Sequence, residues 1–446
     1  MAHALSLVFG STTISLSTGD NLLLDYTPRT PRAGDLEITE SARIHVAAAS
    51  KTALQTAIRA LEDFFCLSQR RQATGTGERG YVQLVVDGDG SAWRSEVLDG
   101  RMVLDDDVMR LWGNMSAEVL LTWTRRYWWE EALSAIGLKR TGIAKTTSGV
   151  TVYNHHDSTT HENFVDIEGA DIEGSLPAPL KISLEATAVL GTRRFYLSAN
   201  TFHTPVNFQA IYEGEDSTAG GGTLESIEVD ALSSGGNFMR VTWTTSIAHT
   251  RNAFVWPISA MQLSYAAGGW FRMLLRCANT PPANCYVRLK VKFDATTPLT
   301  TLWQGPEILL DSSRQLQDVG AVQLPPGYVT GSPTALALVL SIRHTGTSQL
   351  DVDFLQLCGP DVHRFEQQGY LLEIGDLVVD DGPNEGVYAQ TPGGFTQHLY
   401  NDFPPPLMVW PGRDMRVRLL FDEGSGMVVD RSFTVFAQYR PRRLTV

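Results

Sequence analysis

The strongest constraint on this chain lies near its end, in residues 371–444. Met415, Val417, Leu419 and Phe421 alternate there with Arg416 and Arg418. Phe433, Val435, Ala437 and Tyr439 alternate with Ser432, Thr434 and Gln438. A period of two puts the apolar side chains on one face of a strand and the polar ones on the other. Such segments need a sheet to pair with and a core to face, so the chain must build at least one packed sheet. It then closes on a basic run, Arg440-Pro441-Arg442-Arg443.

The same alternation recurs upstream. Met239, Val241 and Trp243 alternate with Arg240 and Thr242. Cys285, Val287, Leu289, Val291 and Phe293 alternate with Tyr286, Arg288, Lys290 and Lys292, and Leu336, Leu338, Leu340 and Ile342 continue the pattern. Helical periodicity is nearly absent from 180–360, which predicts a two-sheet sandwich or jelly roll. The 39 Gly and 21 Pro among 446 residues suit turn-rich β architecture, and 43% hydrophobic residues suffice for several cores.

The first segment, 1–135, differs by carrying one clear helix. Ser50 stands as an N-cap before residues 51–72, and Leu54, Ala57, Ile58, Leu61, Phe64 and Phe65 form one apolar stripe. Arg70 and Arg71 suit its C-terminal end. Around it lie strand signals: Leu5, Leu7 and Phe9 before a Gly10-Ser11 turn, residues 81–86, and a hairpin turning at Asp99-Gly100. Residues 117–129 read as a long strand with Val119, Leu121 and Trp123 on one face and Thr122, Thr124 and Arg126 on the other. Residues 136–175, rich in Gly, Thr, His and Asp, read as linker and extended chain.

Few residues suggest chemistry. His155, His156, Asp157, His161, Glu162 and Asp166 are metal-ligand types, but their spacing matches no zinc signature, so a polar linker is expected. Asp105, Asp106 and Asp107 read as a solvated acidic turn, and Asp380-Asp381-Gly382 as another turn. No nucleophile elbow, His-Glu-x-x-His or phosphate-binding loop is present, so no catalytic residue, metal or cofactor is expected. A formal net charge of −13 argues against a surface that grips nucleic acid, though an acidic channel wall would let DNA pass without sticking. No apolar run reaches the ~18 residues of a membrane span. The N-terminus lacks the basic and apolar regions of a signal peptide. The four cysteines are too sparse for a disulfide scaffold. Cys277 and Cys285 are placed to meet across a hairpin, and reduced thiols are the expectation.

Aromatic residues mark two candidate surfaces. Trp256, Tyr265, Trp270 and Trp303 fall in the sandwich region and are candidates for stacking on sugar rings, with Trp270 the best exposed candidate after Gly268-Gly269 and Trp243 assigned to the core. Trp123, Tyr127, Trp128 and Trp129 make the 117–129 strand very apolar for a solvent edge and are candidates for an interface between copies.

Three stretches together resemble the distal tail proteins and tail-tube-like minor tail proteins of long-tailed bacteriophages. They are the first segment with helix 50–72 and its hairpins; the Gly/Pro crossing from Asp166 to Leu184; and the ending, with Gly375-Asp376 opening a strand, a Pro404–Pro406 turn, Pro411-Gly412 leading to Leu419, and a last strand. The resemblance implies a mainly β fold: a tail-tube-like β-sandwich with one flanking helix, followed by a jelly-roll or galectin-like β-sandwich. It divides the chain into a ring-forming domain at 1–135, a linker or crossing at 136–179, the sandwich at 180–362 and a closing β segment at 363–446. The long 185–360 region exceeds the family's usual compact second domain. The implied role is structural rather than enzymatic: a tube-to-tip adaptor in the virion tail, made in the host bacterial cytoplasm. Its implied partners are copies of itself in a hexameric or pseudo-hexameric ring, other tail proteins, host surface glycans, and DNA as passing cargo. A major tail tube protein with an outer decoration domain, and a carbohydrate-binding surface protein or adhesin, are the alternatives.

Overall fold

The computed structural model describes the chain except residues 1–3, 20, 33, 76, 87–89, 105–114, 155–160, 189–193, 201–210, 219–223, 259–268, 294–299, 325–335, 360–362, 367–371, 402–404, 423–431 and 446. The fold is mainly β, built from antiparallel sheets, with one α-helix among the described residues. The chain divides into two compact units. One comprises Met1–Ser134, Glu173–Ala178 and Arg440–Val446, and the other Ala135–Ile172 and Pro179–Tyr439.

The first unit is a sheet covered by the helix Lys51–Thr74. Ser50 caps the helix as its spacing predicts, with the hydroxyl accepting from the Ala53 N–H at 3.1 Å. Gly75, at φ 68°, ends it in the left-handed conformation that favours glycine. The strands run, across the sheet, Thr12–Ser15, Ala4–Phe9, Gly80–Val85, Ala92–Leu104, Ser116–Arg126, Glu37–Ala47 and Asn21–Tyr26. Strands 37–47 and 116–126 pair from Glu37 opposite Arg126 to Ala47 opposite Ser116, and strict alternation sends Ala42, Ile44, Val46, Val119, Leu121 and Trp123 into one core with Leu54, Leu61, Phe64 and Phe65 of the helix.

Asp99-Gly100 is not a hairpin turn. The strand Ala92–Leu104 runs through it with a bulge between Val97 and Asp99. Glycine is needed here for close approach: a Cβ on Gly100 would lie 2.3 Å from Phe65 Cδ1. The helix also locks onto the bulge, since the Gln69 amide donates to Asp99 Oδ1 at 2.7 Å and to the Gly100 carbonyl at 2.9 Å. The basic run near the end of the chain is likewise structured. Arg442-Arg443 pairs antiparallel with Trp129-Glu130, and the Arg442 guanidinium lies over the Trp128 ring at 4.3 Å.

The second unit holds two sandwiches. In one, sheets containing Arg194–Asn200 and Met415–Phe421 on one side and Ala178–Ala186 and Ser432–Tyr439 on the other meet through Phe195, Phe421 and Phe433. Residues 136–175, read as linker, supply strands to both sheets. Phe164–Ile167 pairs with 415–421, and Val150–Tyr153 pairs with 432–439. These strands are four residues each, too short for alternation to be legible, and their partners lie more than 240 residues away in the chain.

The other sandwich, from Ile211 to Cys358, lies in the chain between the paired strands Arg194–Asn200 and His363–Glu366. One sheet runs Leu224–Val229, Asn237–Trp243, Ser348–Cys358, Trp270–Cys277 and Leu316–Gln323. It faces a second sheet of Phe254–Pro257, Leu336–Arg343, Tyr286–Phe293 and Thr300–Gln304. The core between them gathers Val241, Trp243, Phe254, Trp256, Phe271, Met273, Leu289 and Leu340. Cys277 and Cys285 are both buried there as free thiols, and burial raises the pKa of each.

Candidate functional site

Strand 270–277 gives the second unit its most chemically suggestive surface. Phe271, Met273, Leu275 and Cys277 enter the sandwich core, so Trp270, Arg272, Leu274 and Arg276 take the opposite face. Leu274 and Leu316 pack there against Tyr196 and Leu420 of the other sandwich in the same unit. Towards Trp270 that covering ends. Trp270 is 50% exposed, and its ring meets Trp303 edge-on with centroids 6.3 Å apart.

A β-bulge shapes the surface beside it. Arg272 opposes Ala321 while Leu274 opposes Asp318, so residues 319 and 320 together face Met273 and their strand carries one extra residue. Gly320 takes φ 88° to make the kink, and its N–H donates to Asp318 Oδ1 at 3.1 Å. The Asp318 carboxylate is thereby turned onto the Arg272 guanidinium, which donates to it through Nε at 2.9 Å and through a second nitrogen. Two open depressions of about 380 and 400 Å³ adjoin there, sharing Asp318 and Gly320. The first includes Trp270, Arg272 and Ala321, and the second Arg194, Tyr196, Leu309, Gln317 and Arg364.

Tyr196 is the unusual group. It is 2% exposed, and among the described residues its hydroxyl has no hydrogen-bond partner. Burial raises its pKa most; Asp318 raises it further, and Arg364, Arg194 and Arg272 oppose. A phenol held without a partner beneath a groove of charged side chains, with an exposed indole alongside, suits a ligand that has both an apolar face and hydroxyl groups.

The remaining sequence candidates fall elsewhere. Trp256 is buried at 1% exposure and its indole N–H donates to the Glu213 carbonyl at 2.7 Å, so it is a core residue and offers no stacking face. Trp303 is half-buried behind Trp270, and Tyr265 lies outside the described residues. Trp123 belongs to the core of the first unit rather than to an edge, because strand 116–126 is paired on both sides, and Trp129, on the short strand Trp129–Glu130, is buried in the same core. Tyr127 and Trp128 are half-buried, ring against ring at 4.8 Å.

His155, His156, Asp157 and Asp105 to Asp107 lie outside the described residues. His161 packs on Tyr153, Glu162 accepts from the Thr141 N–H at 3.0 Å, and Asp166 accepts two hydrogen bonds from Arg416. No group of three His, Cys, Asp or Glu among the described residues is arranged to hold a metal. Asp381 caps the short 3₁₀ turn Gly382–Asn384, accepting from the Asn384 N–H at 3.2 Å.

Two features gave little sequence signal. The first unit's sheet ends on Thr12–Ser15 at one side and Asn21–Tyr26 at the other; among the described residues the latter pairs only with 37–47 and leaves Leu22 59% and Leu24 44% exposed. In the second unit Glu213 and Asp353 share a buried acidic pocket. Asp353 is paired with Arg276 and accepts from the Ser234 N–H, and Glu213 accepts from the Ser234 hydroxyl at 2.9 Å. Burial first, and then Asp353, pushes Glu213 up to about 8.

No family model matches this chain, and no curated protein does. Among solved structures, a Paenibacillus xanthan lyase is similar over 91% of this chain and 53% of its own, at 9% identity and a TM-score of 0.23. The chain thus spans about half the length of that structure, and a likeness this slight carries no argument.

Proposed function

We propose that this chain is a structural component of a bacteriophage tail, a distal tail protein whose first unit associates into a ring around the DNA channel. The observation that supports this reading is strand 21–26, whose outer side has no partner strand among the described residues. It offers a row of backbone donors and acceptors with Leu22 and Leu24 beside it, the arrangement that a neighbouring copy extends by strand addition. Leu36, Val103 and Met115 add exposed apolar surface to the same unit. No lysine and no proline lies between Asn21 and Tyr26; the edge's one charge is Asp25, and its one irregularity lies between Leu23 and Asp25. A repeated heterologous contact of this kind closes into a ring when its rotation fits. On this reading the protein is made in the bacterial cytoplasm and resides in the virion tail, and its partners are its own copies, other tail proteins and DNA in transit. The acidic charge of −13 suits a channel through which DNA slides.

Replacing both exposed leucines, Leu22→Lys with Leu24→Lys, tests the edge. Sedimentation velocity is expected to show closed oligomers for the native chain and monomers for the variant, with far-UV circular dichroism unchanged. A native chain that stays monomeric at high concentration contradicts the proposal. Rings that stack into long tubes make the chain a tube subunit with an outer decoration instead.

A further inference from the structure

We propose that the paired depressions between Trp270 and Tyr196 are a binding site for a pyranose-based glycan. Pyranose rings combine a flat face of C–H groups with a rim of hydroxyls, so a site for them needs an aromatic plane and a set of donors and acceptors at fixed positions. Trp270 supplies the plane, and Trp303 behind it holds the indole edge-on. Arg272 and Asp318 supply donors and an acceptor held rigid by their mutual pairing and by the Gly320 bulge. The Tyr196 hydroxyl, buried without a partner among the described residues, is the group that a ligand hydroxyl would satisfy. Each depression is within the usual range for small-ligand sites, roughly 300–1,000 Å³. Their shared wall at Asp318 and Gly320 makes them successive positions for a chain of sugars rather than one isolated ring.

This inference does not depend on ring formation, because every residue in it belongs to the second unit. The test is the full chain on an immobilised array of neutral and acidic hexopyranose oligomers, followed by titration calorimetry with the best-bound oligomer. Binding is expected to weaken about tenfold or more in Trp270→Ala. In Tyr196→Phe it is expected to weaken by roughly threefold to tenfold while the melting temperature stays the same or rises, since the lost hydroxyl has no partner among the described residues. A residue with a merely structural role would instead lower the melting temperature. The Leu22→Lys, Leu24→Lys variant is expected to bind the oligomer as the native chain does, which separates this site from the ring. Retention of no glycan, or binding unchanged in Trp270→Ala, overturns the proposal. Preference for the acidic oligomers would assign Arg194 and Arg364 to a sugar carboxylate, and preference for neutral ones would leave recognition to Arg272, Asp318 and Tyr196.

Discussion

Arg125 sits in the buried phase of an alternating strand, with its side chain fully enclosed beside Trp123. It is tolerated because Glu40, on the facing position set of the neighbouring strand, accepts from it at 2.7 Å, Tyr26 donates to Glu40 at 3.0 Å, and the Trp129 ring lies under the guanidinium at 4.2 Å. Breaking such a pair leaves a bare charge in the core. Arg125→Met is therefore expected to cost about 3–5 kcal/mol in denaturant unfolding, and the double change with Glu40→Leu to recover most of that loss. If the double variant is as unstable as the single one, the pair is not the source of the cost. Glu213 gives a pH signature. Its pKa is raised from 4.5 to about 8 in the fold, so between those values the folded chain holds a proton that the unfolded chain has lost. Stability from this group is present at low pH and falls as pH rises through that window. Asp353 is raised by burial as well and adds in the same direction. The melting temperature of Glu213→Gln, which cannot lose a proton, is expected to vary less steeply with pH over that window than that of the native chain. An unchanged slope contradicts the assignment.

At the scale of elements, the helix and the long strands were legible because each carries its own pattern. Ser50, the stripe from Leu54 to Phe65 and Gly75 announce the helix without reference to anything else. In strands 415–421 and 432–439 every residue assigned to the core face is buried, but Arg418 and Ser432, assigned to the polar face, are buried as well, because the other face is also covered there. What the sequence hid depends on partners distant in the chain. Asp99-Gly100 imitates a turn, but its glycine exists to admit Phe65 from the helix above. That reading predicts that Gly100→Val, at a position outside the left-handed region, destabilises the chain by about 1–3 kcal/mol through the clash with Phe65. A Phe65→Ala background should relieve part of the added cost in a double-mutant cycle. Additivity of the two changes would show that helix and bulge do not meet as described. The groove was half legible for the same reason. Trp270 carried a local signal, whereas Tyr196, Asp318 and Arg364 stand on separate strands and come together only through the fold. Trp256 carried the same signal as Trp270 and is a core residue, because aromatic identity alone does not reveal which face of a strand is covered.

At the scale of the molecule, the chain is a set of antiparallel sheets in two compact units, and each unit presents a different kind of unfinished surface. Among the described residues, the first ends on a strand edge with no outer partner and two exposed leucines, and the second bears a groove with an exposed indole and a phenol without a hydrogen-bond partner. The mainly β character was legible throughout. The sheet order was not, since the edge at 21–26 rather than the aromatic strand 116–126 became evident only once every strand had its neighbours. The proposed role in a tail rests on that edge being completed by another copy of the chain. Negative-stain electron microscopy of the purified protein tests it most directly. Class averages are expected to show closed rings with a central hole, and uniformly isolated single-chain particles across the concentration range would contradict the account.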